Sequence, residues 1–271
     1  MQEILEVKKQ IAEIEQRYKE LMGNQIAFSC LLMGIYGSGK TRLSCTGRLP
    51  ILLDMFDPKG SVIVHTDPYL KQLYTEKKLI VRPFWTELSK KPTEYEAWAT
   101  QWEKDCKSGF LSQFGTYVID SGTTWIEAMT NYIVKKESRA NGNLAIQDYI
   151  PLYNMIMDVI KVSSSQGCDF IYTAHLLTVE DEVTGKVIAV LDTYSRLKSK
   201  IPKLFSEKYV AMKKETSQGV KYVLLTQATG RYEASSQLMA SGKILPEEEP
   251  NLKKLLEKAG LNITDKPITW K

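Results

Sequence analysis

The chain has 271 residues, 43% hydrophobic and 25% charged, with a formal net charge of +4. This balance excludes wholesale disorder and collagen-like repetition, and the length suits one large α/β domain or two small ones. No apolar run nears the roughly 20 residues of a membrane span and the charged start MQEILEVKKQ is unlike a signal peptide, so a soluble, cytoplasmic protein without a membrane partner is expected.

Ile4, Val7, Ile11, Ile14, Tyr18 and Leu21 alternate three and four apart, which predicts a helix over 2–22 with the a/d pattern of a coiled coil. Lys8, Gln10, Glu15 and Arg17 flank that seam, and the same pattern also suits a helix packed on its own domain. Gly23-Asn24 is expected to end it. A strand follows over 26–33, then a helix over 41–48, strands over 51–56 and 61–65, a helix over 66–78 and a strand over 79–85. The turn Asp57-Pro-Lys-Gly60 separates the two middle strands. Next come a helix over 93–107, a strand over 115–120, helices over 124–138 and 147–165 flanking the loop Ala140-Asn-Gly-Asn143, and a buried strand over 170–174. Past His175 the pattern turns antiparallel, with hairpins around Thr184-Gly185 and Ser217-Gln-Gly219, and the chain closes on an acidic turn and a short capped helix after Pro250. Four scattered cysteines, Cys30, Cys45, Cys106 and Cys168, with only two histidines, offer no zinc ligand set and read as reduced thiols.

Residues 34–41, Gly34-Ile-Tyr-Gly-Ser-Gly-Lys-Thr41, match the phosphate-binding pattern G-x-x-x-x-G-K-[ST] between an apolar strand and a helix. Glycines let the backbone turn its N–H groups onto phosphate oxygens, and the helix N-terminus adds a favourable dipole. Gly34, Tyr36, Gly37, Ser38, Gly39, Lys40, Thr41 and Arg42 are therefore expected to bind a nucleotide, with Lys40 on the β and γ phosphates and the Thr41 hydroxyl on Mg²⁺. Asp120, ending the strand TYVID, is the best second acid for the metal. Ser121 rather than glutamate follows it, so a water-activating carboxylate must come from elsewhere, with Asp54 and Asp57 as candidates. Thr173 or His175, at the end of FIYTAH, could sense the γ-phosphate.

Residues 196–221 carry eight basic side chains against Glu207 and Glu215, a local surplus larger than the net charge of the chain. Such a segment suits a phosphate backbone, with Tyr194, Phe205, Tyr209 and Tyr222 as stacking surfaces, the alternatives being a solvated face or a subunit interface.

With GIYGSGKT, ILLDMFDPKG, YVIDSGTT and FIYTAH in this order, the chain resembles the RecA-like P-loop ATPases. More narrowly, it resembles the bacteriophage nucleotide-binding AAA proteins that include single-strand annealing and recombination ATPases, over about residues 26–235. The resemblance implies a mainly parallel α/β sheet with helices on both faces and an antiparallel extension, arranged as an N-terminal helix (1–24), an ATPase domain (25–240) and a C-terminal tail (241–271). It places the general base on Asp57, the second metal acid on Asp120 and the polar strand end on Thr173 and His175. It implies ATP and Mg²⁺ as cofactors and a homo-oligomeric ring or filament in which a basic residue reaches a neighbour's nucleotide, with Lys198, Lys200, Lys203, Lys221 and Arg231 as candidates. The expected task is ATP hydrolysis on single-stranded DNA in phage recombination or replication, in the host cytoplasm. A packaging motor would usually carry an Asp-Glu pair, a nucleotide-gated scaffold would need little turnover, and a small-molecule kinase would need an arginine-rich lid.

Overall fold

The computed structural model describes residues 2–22, 27–58, 60–86, 88–137, 139, 142–180, 185–217 and 219–270. The expected helix end at Gly23-Asn24 lies outside the described residues, as do Lys59, Ala140, Asn141, Thr184 and Gln218 of the expected turns.

Apart from residues 61–65, the strands read in the sequence share one sheet. In chain order, β1 (Ser29–Gly34), β2 (Ile51–Met55), β3 (Leu79–Pro83), β4 (Thr116–Asp120), β5 (Asp169–Glu180), β6 (Val187–Leu191), β7 (Glu207–Thr216), β8 (Gly219–Leu225), β9 (Ser235–Ser236) and β10 (Glu247–Glu248) are arranged as β10-β8-β7-β1-β5-β4-β2-β3, with β6 on β5 and β9 on β7. From β7 to β3 the pairing is parallel, and β8, β10, β6 and β9 add antiparallel edges. β1 and β4 are not neighbours, because β5 runs between them.

Adjacent residues of the parallel strands point to opposite faces, and both faces are covered, which is why these strands are continuously apolar. Leu31, Leu52, Tyr117 and Phe170 enter a core shared with Trp98 of α5 (Glu94–Ser108), Trp125 of α6 (Gly122–Lys136) and Ile156 of α7 (Tyr149–Ser164). Their chain neighbours Leu32, Leu53, Val118 and Ile171 enter a second core with Leu43 of α2 (Lys40–Ser44), Val64 of α3 (Val62–Thr66), Leu70 of α4 (Pro68–Thr75) and Leu252 of α9 (Leu252–Lys258). The expected α/β architecture is thus what the chain adopts.

The C-terminal segment is part of this packing. Asn251 caps α9 by accepting from the Lys254 N–H, and the Leu252 N–H donates to Thr46 Oγ1. Beyond it, Lys266 Nζ donates to the carbonyls of Ser112 and Gly167, and the Trp270 ring lies 5.0 Å from that of Phe114. At the other end, α1 (Gln2–Met22) forms as expected, and its stripe Ile4, Val7, Ile11, Ile14 and Tyr18 is exposed rather than packed on the domain.

Three elements differ from expectation. Residues 61–65, expected as a strand, begin the helix α3; β2 pairs with β3 on one side and β4 on the other, so this segment cannot run beside β2. Only Val64 of that helix is buried, and Val62 faces solvent. β5 does not stop at Ala174: its parallel ladder with β1 ends at Gly34 opposite His175, after which the strand continues as one arm of the hairpin with β6. The helix expected over 41–48 is shorter, ending at Ser44.

Candidate active site

The phosphate loop, Asp57, Asp120, Thr173 and His175 converge at the C-terminal ends of β1, β2, β4 and β5, the edge of a parallel sheet where ligands bind. β1 runs into the glycine loop, and the loop opens α2. Gly39 has φ 86°, a left-handed conformation that favours glycine, and a Cβ on Gly34 would stand 2.3 Å from Ser38 Oγ and 2.7 Å from the Ala211 carbonyl. Tyr36, at the loop tip, is 92% exposed.

Lys40, the first residue of α2, is 6% exposed. Its Nζ donates to the Gly34 carbonyl at 3.0 Å and the Ile35 carbonyl at 3.1 Å, and lies 3.3 Å from His175 Nδ1. Burial pulls its pKa down, against the opposing pull of Asp120 and Asp57. Next to it, Thr41 Oγ1 donates to Asp120 Oδ2 at 2.7 Å, and Thr173 Oγ1 from the intervening strand donates to Asp120 Oδ1 at 2.5 Å. Burial and the nearby Asp57 push the Asp120 carboxyl up, while Thr173, Thr41 and Lys40 oppose the shift.

Asp57 lies just past β2 and takes part in the same cluster. Its Oδ1 accepts from Ser121 Oγ and Thr124 Oγ1, each at 2.7 Å, and its Oδ2 lies 3.3 Å from His175 Nε2. Burial raises this carboxyl, but the hydrogen bonds from His175, Ser121 and Thr124 outweigh it and bring the pKa to about 2. His175 therefore spans the lysine and the acid. A Lys40 ammonium can only donate, so Nδ1 accepts and the proton belongs on Nε2, facing Asp57. Asp54, the other candidate acid, points elsewhere: its carboxylate accepts from Arg82 Nε and Nη2, Trp98 Nε1 and Tyr117 OH in the core, and Asp54 is fully buried.

Several residues at the site carried no local signal in the sequence. Asp67 caps α4 and accepts from Arg42 Nε at 3.2 Å, while the Arg42 guanidinium sits 4.9 Å from the centre of the Tyr69 ring. Tyr222 of β8, expected as a DNA-stacking surface, instead lies against the loop, with ring carbon Cδ1 3.2 Å from where a Gly39 Cβ would be. A cavity of about 420 Å³ opens beside the loop between Gly39, Arg42, Ile63, Asp67, Tyr222 and Pro250. Glu127 of α6 also faces the cluster, its carboxyl raised by burial and by Asp192 and Asp57.

The basic stretch is not one continuous element. Lys198 and Lys200 lie on α8 (Ser195–Lys200) and Lys203 on the following 3₁₀ turn Ile201–Leu204, whereas Lys208, Lys213, Lys214 and Lys221 belong to the β7–β8 hairpin, where Lys214 pairs with Glu247. Phe205 and Tyr209 are buried and cannot offer stacking faces, and Tyr194 packs its edge on Tyr149. Lys200 sits 5.8 Å from the Tyr153 ring centre, and Arg231 donates to Thr178 Oγ1 on the hairpin arm of β5. Among the described residues, none of Lys198, Lys200, Lys203 or Arg231 hydrogen-bonds to Lys40 or Asp57.

The oxygens of Thr41 and Asp120 are hard donors suited to Mg²⁺, which is commonly held by one or two protein oxygens together with substrate phosphates. Among the described residues no group of three or more His, Cys, Asp or Glu forms a metal cage by itself. Ser38 Oγ is buried in the loop with no hydrogen-bond partner among the described residues, a donor compatible with an anion. No described helix is long and apolar enough to cross a membrane.

Among curated proteins none matches the chain. Among solved structures, a KaiC-like protein from the hyperthermophilic archaeon Pyrococcus horikoshii OT3 is similar over 81% of this chain and 88% of its own, at 13% identity and a TM-score of 0.43. A family model described as an AAA domain matches residues 27–238, from the start of the sheet through the phosphate loop, Asp57, Asp120 and His175 to the antiparallel edge, and the chain belongs to that family of P-loop ATPases.

Proposed function

We propose that the chain is a Mg²⁺-dependent ATPase that works as a homo-oligomeric ring or filament on single-stranded DNA, in phage recombination or replication in the host cytoplasm. The observation that carries the hydrolytic reading is the linked set Lys40–His175–Asp57 beside Thr41–Asp120, where cationic, metal-holding and water-facing groups meet at the end of the phosphate loop.

In this reading the loop backbone and Lys40 hold the phosphate oxygens and offset their charge. Thr41 and Asp120 hold Mg²⁺, which when bound neutralises charge on the transferring phosphoryl group. Asp57 accepts a hydrogen bond from the attacking water. A carboxyl with a pKa of about 2 is a weak proton acceptor at neutral pH, so its contribution is mainly to orient the water, and His175 keeps it aimed. The cavity bounded by Tyr222, Ile63 and Pro250 offers apolar and aromatic surface for the nucleobase, with Asp67 as a polar edge. Lys198, Lys200 and Lys203, on a short helix and the turn after it, supply the charge for a DNA backbone, and Lys221 and Arg231 remain candidates for reaching a neighbour's nucleotide.

A second reading, a nucleotide-gated scaffold with slow turnover, is favoured by Ser121 after Asp120 and by the weak basicity of Asp57. Phosphate release from Mg²⁺-ATP, with and without single-stranded or duplex DNA, separates the two. The ATPase reading expects turnover that rises with single strands and is abolished in Lys40→Ala. Tight ATP binding without turnover would favour the scaffold.

A further inference from the structure

Among the described residues, nothing covers the apolar stripe of α1. Ile4 is 62% exposed, Ile14 68% and Tyr18 61%, and Val7 and Ile11 are also in solvent. A strict two-in-seven stripe is the seam of a coiled coil, narrower than the face a helix turns toward a globular core. The polar face is unlike that of a membrane-surface helix, which is rich in lysine and arginine: five acids (Glu3, Glu6, Glu13, Glu15, Glu20) balance four bases (Lys8, Lys9, Arg17, Lys19).

Orientation follows from the residues in the seam and beside it. With Ile4, Ile11 and Tyr18 at a and Val7 and Ile14 at d, position e holds Lys8 and Glu15 and position g holds Glu3, Gln10 and Arg17. Antiparallel helices bring e beside e′ and g beside g′. Two copies centred between residues 12 and 13 then set Ile11 against Ile14′, Val7 against Tyr18′, Lys8 against Glu15′ twice, and Gln10 against Arg17′ twice. A parallel pair instead sets Glu3 against Lys8′ and Gln10 against Glu15′, so charge alone does not separate the two orientations, but it places β-branched Val7 and Ile14 at d, a choice that disfavours parallel dimers.

We infer that α1 is an interface with a second copy of this chain, formed as an antiparallel two-helix coiled coil closed by reciprocal Lys8–Glu15′ pairs. The inference deepens the homo-oligomer reading by naming the partner and the element, and it stands whether or not the chain hydrolyses ATP. Because α1 leads into the sheet at its C-terminal end, an antiparallel pair sets the two domains at opposite ends of a rod about 32 Å long.

The test uses the full-length Lys40→Ala protein without nucleotide, so that assembly through the ATP site is suppressed. Sedimentation over a concentration series should show that Lys8→Glu and Glu15→Lys each weaken dimerisation about tenfold, and that combining them restores it, because opposite charges again face each other. A parallel pair predicts that Glu15→Lys has little effect and that the double variant stays weak. As a second readout, a Val7→Cys chain mixed with a Tyr18→Cys chain should form an oxidised cross-link absent from the parent protein. An Ile4→Cys chain should not link to itself, its two copies lying about 25 Å apart. Self-linking of Ile4→Cys, or an unchanged mass in all charge variants, would overturn the inference.

Discussion

Asp54 and Asp57 stand three residues apart and serve unlike purposes. Asp54 is locked in the core by Arg82, Trp98 and Tyr117, so Asp54→Asn leaves the half-buried Arg82 with Asp105 as its remaining carboxylate and should cost about 1–3 kcal/mol of stability in denaturant unfolding, without changing nucleotide affinity in the folded protein. Asp57→Asn should do the reverse at the site: kcat should fall about 10²–10⁴-fold while nucleotide affinity holds. Asp57 also links stability to pH. Its folded pKa of about 2 lies below the ordinary carboxylate value, so the stabilisation it provides is complete above about pH 4 and is lost as pH falls toward 2. The stability difference between the parent and Asp57→Asn should therefore be flat above pH 4 and shrink below it, as acid-unfolding curves would show. The spacing in DMFDPKG offered both acids, and only the fold tells them apart, because the choice depends on what α5, α6 and β5 bring to each.

At the scale of elements, strands buried on both faces were legible because such strands must be apolar throughout, and turn residues marked their ends. Residues 61–65 misled because Val62, Ile63 and Val64 have strand propensity, while the available edges of β2 were already taken by β3 and β4, a long-range fact no local pattern carries. The basic stretch was legible as charge but not as surface: Phe205 and Tyr209 turn into the cores, and Tyr222 turns to the phosphate loop. What remains on α8 and its following turn makes a compact prediction. Replacing Lys198, Lys200 and Lys203 together with Glu should lower the salt slope of single-strand binding by about 2, from roughly 0.7 per phosphate contact. An unaltered slope would remove this segment from the proposed DNA interface.

Across the whole molecule, the sheet order explains why the site could be read before the fold was known and why its rim could not. β5 separates β1 from β4, so Thr173 and His175 fall between the lysine and the acids of the phosphate site, and the motifs on these strands converge. The rim is assembled from distant chain: β8 brings Tyr222, α4 brings Asp67 as its cap, and the segment leading into α9 brings Pro250, none of which bears a motif. The same long-range packing draws the C-terminal segment onto the far end of the sheet, where Lys266 and Trp270 tie loops around Ser112, Phe114 and Gly167. In the proposed ATPase, this fold assembles Lys40, Thr41, Asp57, Asp120 and His175 into a hydrolytic centre. Its most direct test is phosphate release by the purified protein with Mg²⁺-ATP, alone and with single-stranded DNA, beside Lys40→Ala. The account predicts turnover that single strands increase and that the variant lacks; full activity in Lys40→Ala would contradict it.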